Sequence, residues 1–158
     1  MTGLMPICGN TEDLRKKSHS FRLNTDMFFF VTSGASDLTE VETCVVEAAA
    51  QLHYFKRIFV IFVGGASEDV DVMASRTLSV LVSSYENVYL RRVRLATLKY
   101  FPHLQDWLIG SDFQKSAHFD TFLREAMAYE FLDKFGGTAL DFDVLLLQTI
   151  KSDSTISR

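Results

Sequence analysis

Ile58-Phe59-Val60-Ile61-Phe62-Val63-Gly64-Gly65 is six apolar residues in a row, cut off by a glycine pair. A half-exposed strand alternates polar and apolar residues. An unbroken apolar run of this length reads instead as a strand covered on both faces, as in a parallel sheet. Met27-Phe28-Phe29-Phe30-Val31 is a second such run and ends at Thr32-Ser33-Gly34. Between the two runs, Asp37 and Glu40 have the spacing of a capping box. Leu38, Val41, Val45, Ala48, Ala49 and Leu52 then recur at helical intervals, which predicts a helix ending near His53. Beyond Gly65, residues 67–84 read as a second helix with Val70, Met73, Leu78 and Leu81 inward. Asn87-Val88-Tyr89-Leu90-Arg91-Arg92-Val93 is a third strand, less apolar and therefore nearer an edge. Strand, helix, strand, helix, strand with short connections is the pattern of an α/β, Rossmann-like three-layer fold, the nucleotide-binding half of a doubly wound sheet.

The remaining chain extends this unit. Residues 1–26 are irregular, with Gly3, Pro6, Gly9 and a polar, basic run, and predict a disordered N-terminal segment. Residues 96–110 are broken by Pro102 and carry the single tryptophan, Trp107. A longer helix is expected from about Ala117 to Lys134, with Phe119, Phe122, Leu123, Ala126 and Phe131 on its buried side. It leads through Gly136-Gly137 into a short apolar strand, and residues 151–158 form a polar tail. One domain over residues 27–150 accounts for the pattern, and 158 residues suffice for a real core.

Composition narrows the function classes. Hydrophobic residues make up 47% and charged residues 23%, a globular balance. The net charge of -4 leaves no dominant basic face, which argues against a nucleic-acid partner. No apolar run reaches the roughly 18 residues a membrane span needs, and residues 1–20 lack the apolar centre of a signal peptide. Cys8 and Cys44 have no metal-type spacing, and Cys44 among Val41, Val45 and Val46 reads as a small buried hydrophobe. His19, His53, His103 and His118 show neither ligand nor triad spacing.

The chemistry-bearing candidate is Asp141-Phe142-Asp143. In an extended chain i and i+2 share a side, so both carboxylates converge while Leu140, Phe142 and Val144 face a core. Two close carboxylates call for a positive neighbour, and an oxygen-liganded divalent cation is the usual one. Asp69-Val70-Asp71 has the same spacing after another glycine pair. It sits at a predicted helix start, where i and i+2 diverge and acidic side chains suit the dipole. Context, not the bare motif, therefore favours Asp141 and Asp143. Gly64-Gly65 lacks a phosphate-loop pattern and reads as a strand exit. Thr32 and Ser33 end a strand where ligands gather in open α/β sheets, though helix capping explains them nearly as well. Arg91, Arg92 and Arg94 on an edge strand read as solvated.

These residues together resemble the alpha-1,4-glycosyltransferase family. Lys134-Phe135-Gly136-Gly137-Thr138-x-Leu140-Asp141-x-Asp143-Val144 resembles its DxD segment. Phe28-Phe29-Phe30-Val31-Thr32-Ser33 is similar to its first strand, and Cys44-Val45-Val46-Glu47-Ala48-Ala49 to a helix of the pattern Cys-x-Val-Glu-Ser-Ala-Ala. Asn87-Val88-x-Leu90 and Asp106-Trp107 follow in the same order. The resemblance covers residues 27 to 150 and then stops, which suggests a donor-binding half truncated after the DxD segment.

The resemblance implies a GT-A fold, a UDP-galactose or UDP-N-acetylgalactosamine donor, manganese or another divalent cation, and transfer in α-1,4 linkage to a glycolipid or glycan acceptor. It implies a retaining reaction in the Golgi lumen, although no anchor is visible here and no residue presents itself as general base or nucleophile. Asp141 and Asp143 would hold the metal, Thr32 and Ser33 would lie near the uridine, and Gly136, Gly137 and Asp141 would also belong to the donor-binding set. The family's Ser-Asp-x-x-Arg donor segment has two possible registers. His118-Phe119-Asp120-Thr121-Phe122-Leu123-Arg124 supplies Asp120 and Arg124, but about one helical turn too far from Gly136. A gapless register supplies Glu125 and Ala128 instead. Ala139 stands where the family has tyrosine. The other reading is a non-catalytic UDP-sugar and metal-binding module, or an inactive paralogue.

Overall fold

The computed structural model describes residues 25–64, 70–72, 74–94, 101, 104–106 and 115–151. Four parallel strands form one sheet in the order β3-β2-β1-β4. They are β1 (Met27–Val31), β2 (Ile58–Val63), β3 (Val88–Val93) and β4 (Thr138–Ala139). Among the described residues the helices that connect and cover them include α1 (Glu40–Leu52), α2 (Arg76–Ser84) and α3 (Phe119–Phe135). The fold is the expected α/β, Rossmann-like arrangement, consistent with the donor-binding half of a GT-A fold. β3 lies at the edge, as its lower apolarity predicts.

Alternation within β1 and β2 separates two cores. Met27, Phe29 and Val31 pack with Val60, Phe62 and the buried faces of α1 and α2. Phe28 and Phe30 pack with Phe59, Ile61 and the α3 side chains Leu123, Met127 and Phe131. Every residue of β1 and β2 is buried, which is why both strands read as continuous apolar runs. Phe131 lies edge-on to Phe28 and Phe30 at 5.4 and 5.0 Å, so the many phenylalanines fasten α3 to the sheet.

Local chemistry moves several expected boundaries. The capping box of α1 is Thr39 with Glu42, two residues later than expected. Asp37 instead accepts bonds from the Leu38 amide and the Ser75 hydroxyl. The buried stripe of α1 becomes Val45, Val46, Ala49 and Ala50, while Val41 and Cys44 face solvent. Cys44 is thus an exposed free thiol rather than a buried hydrophobe. α2 begins at Arg76 because Ser75 caps it through the Leu78 amide, so residues 70–72 precede the helix. Phe122 on α3 turns outward, and Met127 takes the inward place.

Arg91 and Arg92 are buried, not solvated. Arg92 donates from Nη1 to the Gly64 carbonyl at 2.9 Å, and its guanidinium lies over the Phe62 ring. Trp107, Pro102, Met73, Gly65, Cys8 and the N-terminal segment to residue 24 lie outside the described residues. Asp26, within the segment expected to be disordered, is buried and belongs to the fold. Among the described residues no helix is long and apolar enough to cross a membrane.

Candidate functional site

The strand order reverses direction between β1 and β4. The chain leaves β1 toward β2 on one side, whereas β4 joins on the other. Beyond the C-terminal ends of two such strands, the following loops part and leave a crevice, where open α/β sheets take ligands. In this chain that switch point falls between the loop after β1, beginning with Thr32 and Ser33, and the turn after β4, carrying Asp141 and Asp143.

The helix on the far face reaches the same edge. Thr32 is buried, and its hydroxyl donates to the Asp120 carbonyl at 2.7 Å. This bond ties the first turn of α3 to the end of β1. Asp120 lies in that first turn, where an acidic side chain suits the helix dipole. One turn further on, Arg124 reaches Asp141, with Nε 3.3 Å from Oδ2. The separation suits charge attraction, but the N–H points off-line, leaving Arg124 Nε without a hydrogen bond. Asp141 Oδ1 is likewise inaccessible and without a hydrogen-bond partner. The pair is loose and incompletely satisfied.

Arg124 meets Asp141, whereas Glu125 is exposed and Ala128 packs against the Phe28 and Phe131 core. α3 runs to Phe135, and the chain returns to β1 through the glycine pair.

Asp141 and Asp143 do not share a strand. β4 ends at Ala139, and Asp141–Val144 form a turn closed by the Val144 amide and the Asp141 carbonyl at 3.2 Å. Leu140 remains bound to β1 through its amide and the Phe28 carbonyl. Phe142 is driven inward and stacks on Phe29 with centroids 5.2 Å apart. That packing fixes the turn between the aspartates, leaving Asp141 half-buried and Asp143 exposed. Val144, expected to face the core, is exposed. The alternation argument fails here because the strand is too short to carry it. Among the described residues no group of three or more His, Cys, Asp or Glu could hold a metal ion.

The glycine pair lies elsewhere. Gly136 and Gly137 precede β4 and adopt φ of 67° and 91°. A Cβ on Gly137 would stand 2.3 Å from the Asp26 carbonyl oxygen, at the N-terminal edge of β1. Four residues at ~3.3 Å each put Gly137 about 13 Å from Asp141 along the strand direction. These glycines allow α3 to close onto β1, and the structure does not bring them to the crevice. Ser33 is exposed, with its hydroxyl accepting from the Ala35 amide. The second Asp-x-Asp differs in use: Asp71 caps a local turn by accepting from the Ala74 amide.

Two other polar groups went unread in the sequence. Asp26 and Arg57 form a buried two-point ion pair at 2.9 and 2.7 Å, immediately before β1 and β2. A charge of each sign just before two apolar runs in register was its available signal. His53 is buried, with Nδ1 near the Ala49 carbonyl and Nε2 accepting from the Ile150 amide at 2.9 Å. Burial lowers its pKa below the ordinary value. Nothing in the sequence links positions 53 and 150.

A lactosylceramide 4-alpha-galactosyltransferase from Rattus norvegicus is 26% identical over 127 residues, covering 80% of this chain. The chain is a distant relative of a glycosyltransferase. It spans 35% of the length of that relative. No family model matches the chain, and no solved structure matches it.

Proposed function

We propose that this chain is the nucleotide-sugar-binding half of a glycosyltransferase, taking UDP-galactose or UDP-N-acetylgalactosamine together with manganese or a similar divalent cation. The observation that carries the reading is the meeting of Arg124 and Asp141 at the β1/β4 switch point. A fold-level argument alone would give only a crevice. A guanidinium beside an incompletely satisfied carboxylate gives it groups suited to a diphosphate and its cation. The distant relationship to a galactosyltransferase supports the donor class.

The residues fit a hard divalent ion in one specific way. Asp141, whose Oδ1 has no hydrogen-bond partner and is closed to solvent in this side-chain position, and the exposed Asp143 would each supply a carboxylate oxygen of the kind magnesium and manganese take. Two carboxylates leave the other coordination positions to phosphate oxygens and water, the usual arrangement for nucleotide-bound ions. When bound, the ion would stabilise the negative charge that develops on the departing diphosphate. Arg124 supplies a second positive group on the same side. Thr32 holds α3 in the position that delivers it, and its hydroxyl proton is already used for that purpose. Phe142 keeps the aspartate turn seated on the sheet.

Transfer would proceed in α-1,4 linkage to a glycolipid or glycan acceptor, in the Golgi lumen, as the family resemblance implies. The test is calorimetric titration of UDP-galactose with and without manganese, using Asp143→Ala as control. Manganese-dependent binding abolished by that substitution is the expected result. No binding in either condition would refute the donor-site reading. Binding without sugar transfer or hydrolysis would favour a non-catalytic module.

A further inference from the structure

Arg124 stands against a carboxylate that the proposed reading gives to a cation, and its contact there is poor. At 3.3 Å and off-line, Nε makes no hydrogen bond with Asp141 Oδ2. A pair built for stability looks like Arg57 with Asp26, two-point and satisfied. The two side chains are 29% and 40% exposed and neither belongs to the buried core, although Arg124 Nε and Asp141 Oδ1 are themselves closed to solvent. Arg124 extends from a rigid helix whose first turn is tied to β1 through Thr32. Asp141 belongs to a turn seated by the Phe142–Phe29 stack. The side chains are loose while their backbones are fixed.

We propose that Arg124 is an exchangeable counter-ion. It neutralises Asp141 in the ligand-free protein and transfers to the diphosphate when a divalent cation takes the carboxylate. This inference rests on the divalent-cation and nucleotide reading above and adds a sign to it. Cation alone and nucleotide must respond in opposite ways to the loss of Arg124. A cation approaching Asp141 meets the guanidinium as a like charge. A diphosphate arriving with the cation removes that conflict by accepting the guanidinium itself. The device makes the site favour the cation–nucleotide pair over the free cation.

The experiment is a manganese titration followed by electron paramagnetic resonance, and a parallel calorimetric titration of UDP at saturating manganese. Both use wild type, Arg124→Gln and Arg124→Lys. Removing one positive charge within several ångströms of a divalent ion should tighten manganese binding roughly tenfold in Arg124→Gln. The same variant should bind UDP at least about tenfold more weakly. Arg124→Lys, which keeps the charge but not the planar fork, should match wild type for manganese and fall between the two for UDP. Weakening of both ligands in Arg124→Gln would overturn the inference in favour of a merely structural role. Unchanged manganese affinity would overturn it by removing the competition. Wild-type protein that binds neither probe would refute the underlying reading, and the exchange with it.

Discussion

Two arginine–aspartate pairs sit at opposite ends of the same sheet and are built differently. At the N-terminal edge, Arg57 grips Asp26 through two hydrogen bonds, and both residues are buried. At the C-terminal edge, Arg124 approaches Asp141 at one point, without a hydrogen bond, and each partner keeps an unsatisfied atom. The first pair closes the N-terminal ends of β1 and β2, where both side chains are buried. The second borders the crevice where the strand order reverses. Identical chemical types thus serve architecture at one edge and availability at the other, and their geometry shows which is which.

The sharpest way to break this comparison is to remove one member of each pair. Asp26→Ala removes the two-point carboxylate partner of the buried Arg57 guanidinium, which should cost about 3–5 kcal/mol in denaturant unfolding. Gly137→Ala attacks the same edge through the backbone, since its Cβ would collide with the Asp26 carbonyl at a positive φ. A loss of roughly 3 kcal/mol is expected there, with a lowered thermal midpoint. Arg124→Ala should change unfolding free energy by less than about 1 kcal/mol, because the pair is partly exposed and poorly aligned. A stability loss from Arg124→Ala rivalling that of Asp26→Ala would erase the distinction.

His53 gives a finer test, dependent on pH. Its folded-state pKa is lowered by burial, so the native fold favours the neutral ring that accepts the Ile150 amide. Lys56 adds to the lowering by charge repulsion. The unfolded chain binds the proton first as pH falls through about 6.5. Stability is therefore retained above that value and lost on acidification from it toward the folded pKa. The slope should approach, but not exceed, about 1.4 kcal/mol per pH unit from this group. His53→Gln should remove that part of the slope between pH 7 and 5 when unfolding is compared at each pH.

Much of the sheet was legible because burial on both faces leaves a composition signal. β1, β2 and β3 could be placed from apolar runs and their terminators, and β3 at the edge from its arginines. Those same arginines were misjudged, because a sequence does not reveal that Arg92 can lie over Phe62 and reach the Gly64 carbonyl. The aspartate segment was legible as a feature but not as a shape. A two-residue strand followed by a turn carries the same apolar pattern as a longer strand, and only the stacking of Phe142 on Phe29 decides between them. The glycine pair was visible, yet its place at the far edge depends on the parallel pairing of β4 with β1. That Arg124 faces Asp141 while Ala128 packs into the core was likewise a matter of helix phase, which a sequence does not display.

The central claim is that ligand chemistry belongs to the C-terminal edge at β1 and β4. Paramagnetic broadening of amide resonances by manganese with UDP tests its location directly. The account predicts selective broadening at Thr32–Gly34, Asp120–Arg124 and Leu140–Val144, with Asp26, Arg57, Gly137 and Asn87 unaffected. Broadening centred on the Asp26 and Gly137 edge, or at Asp71, would contradict it.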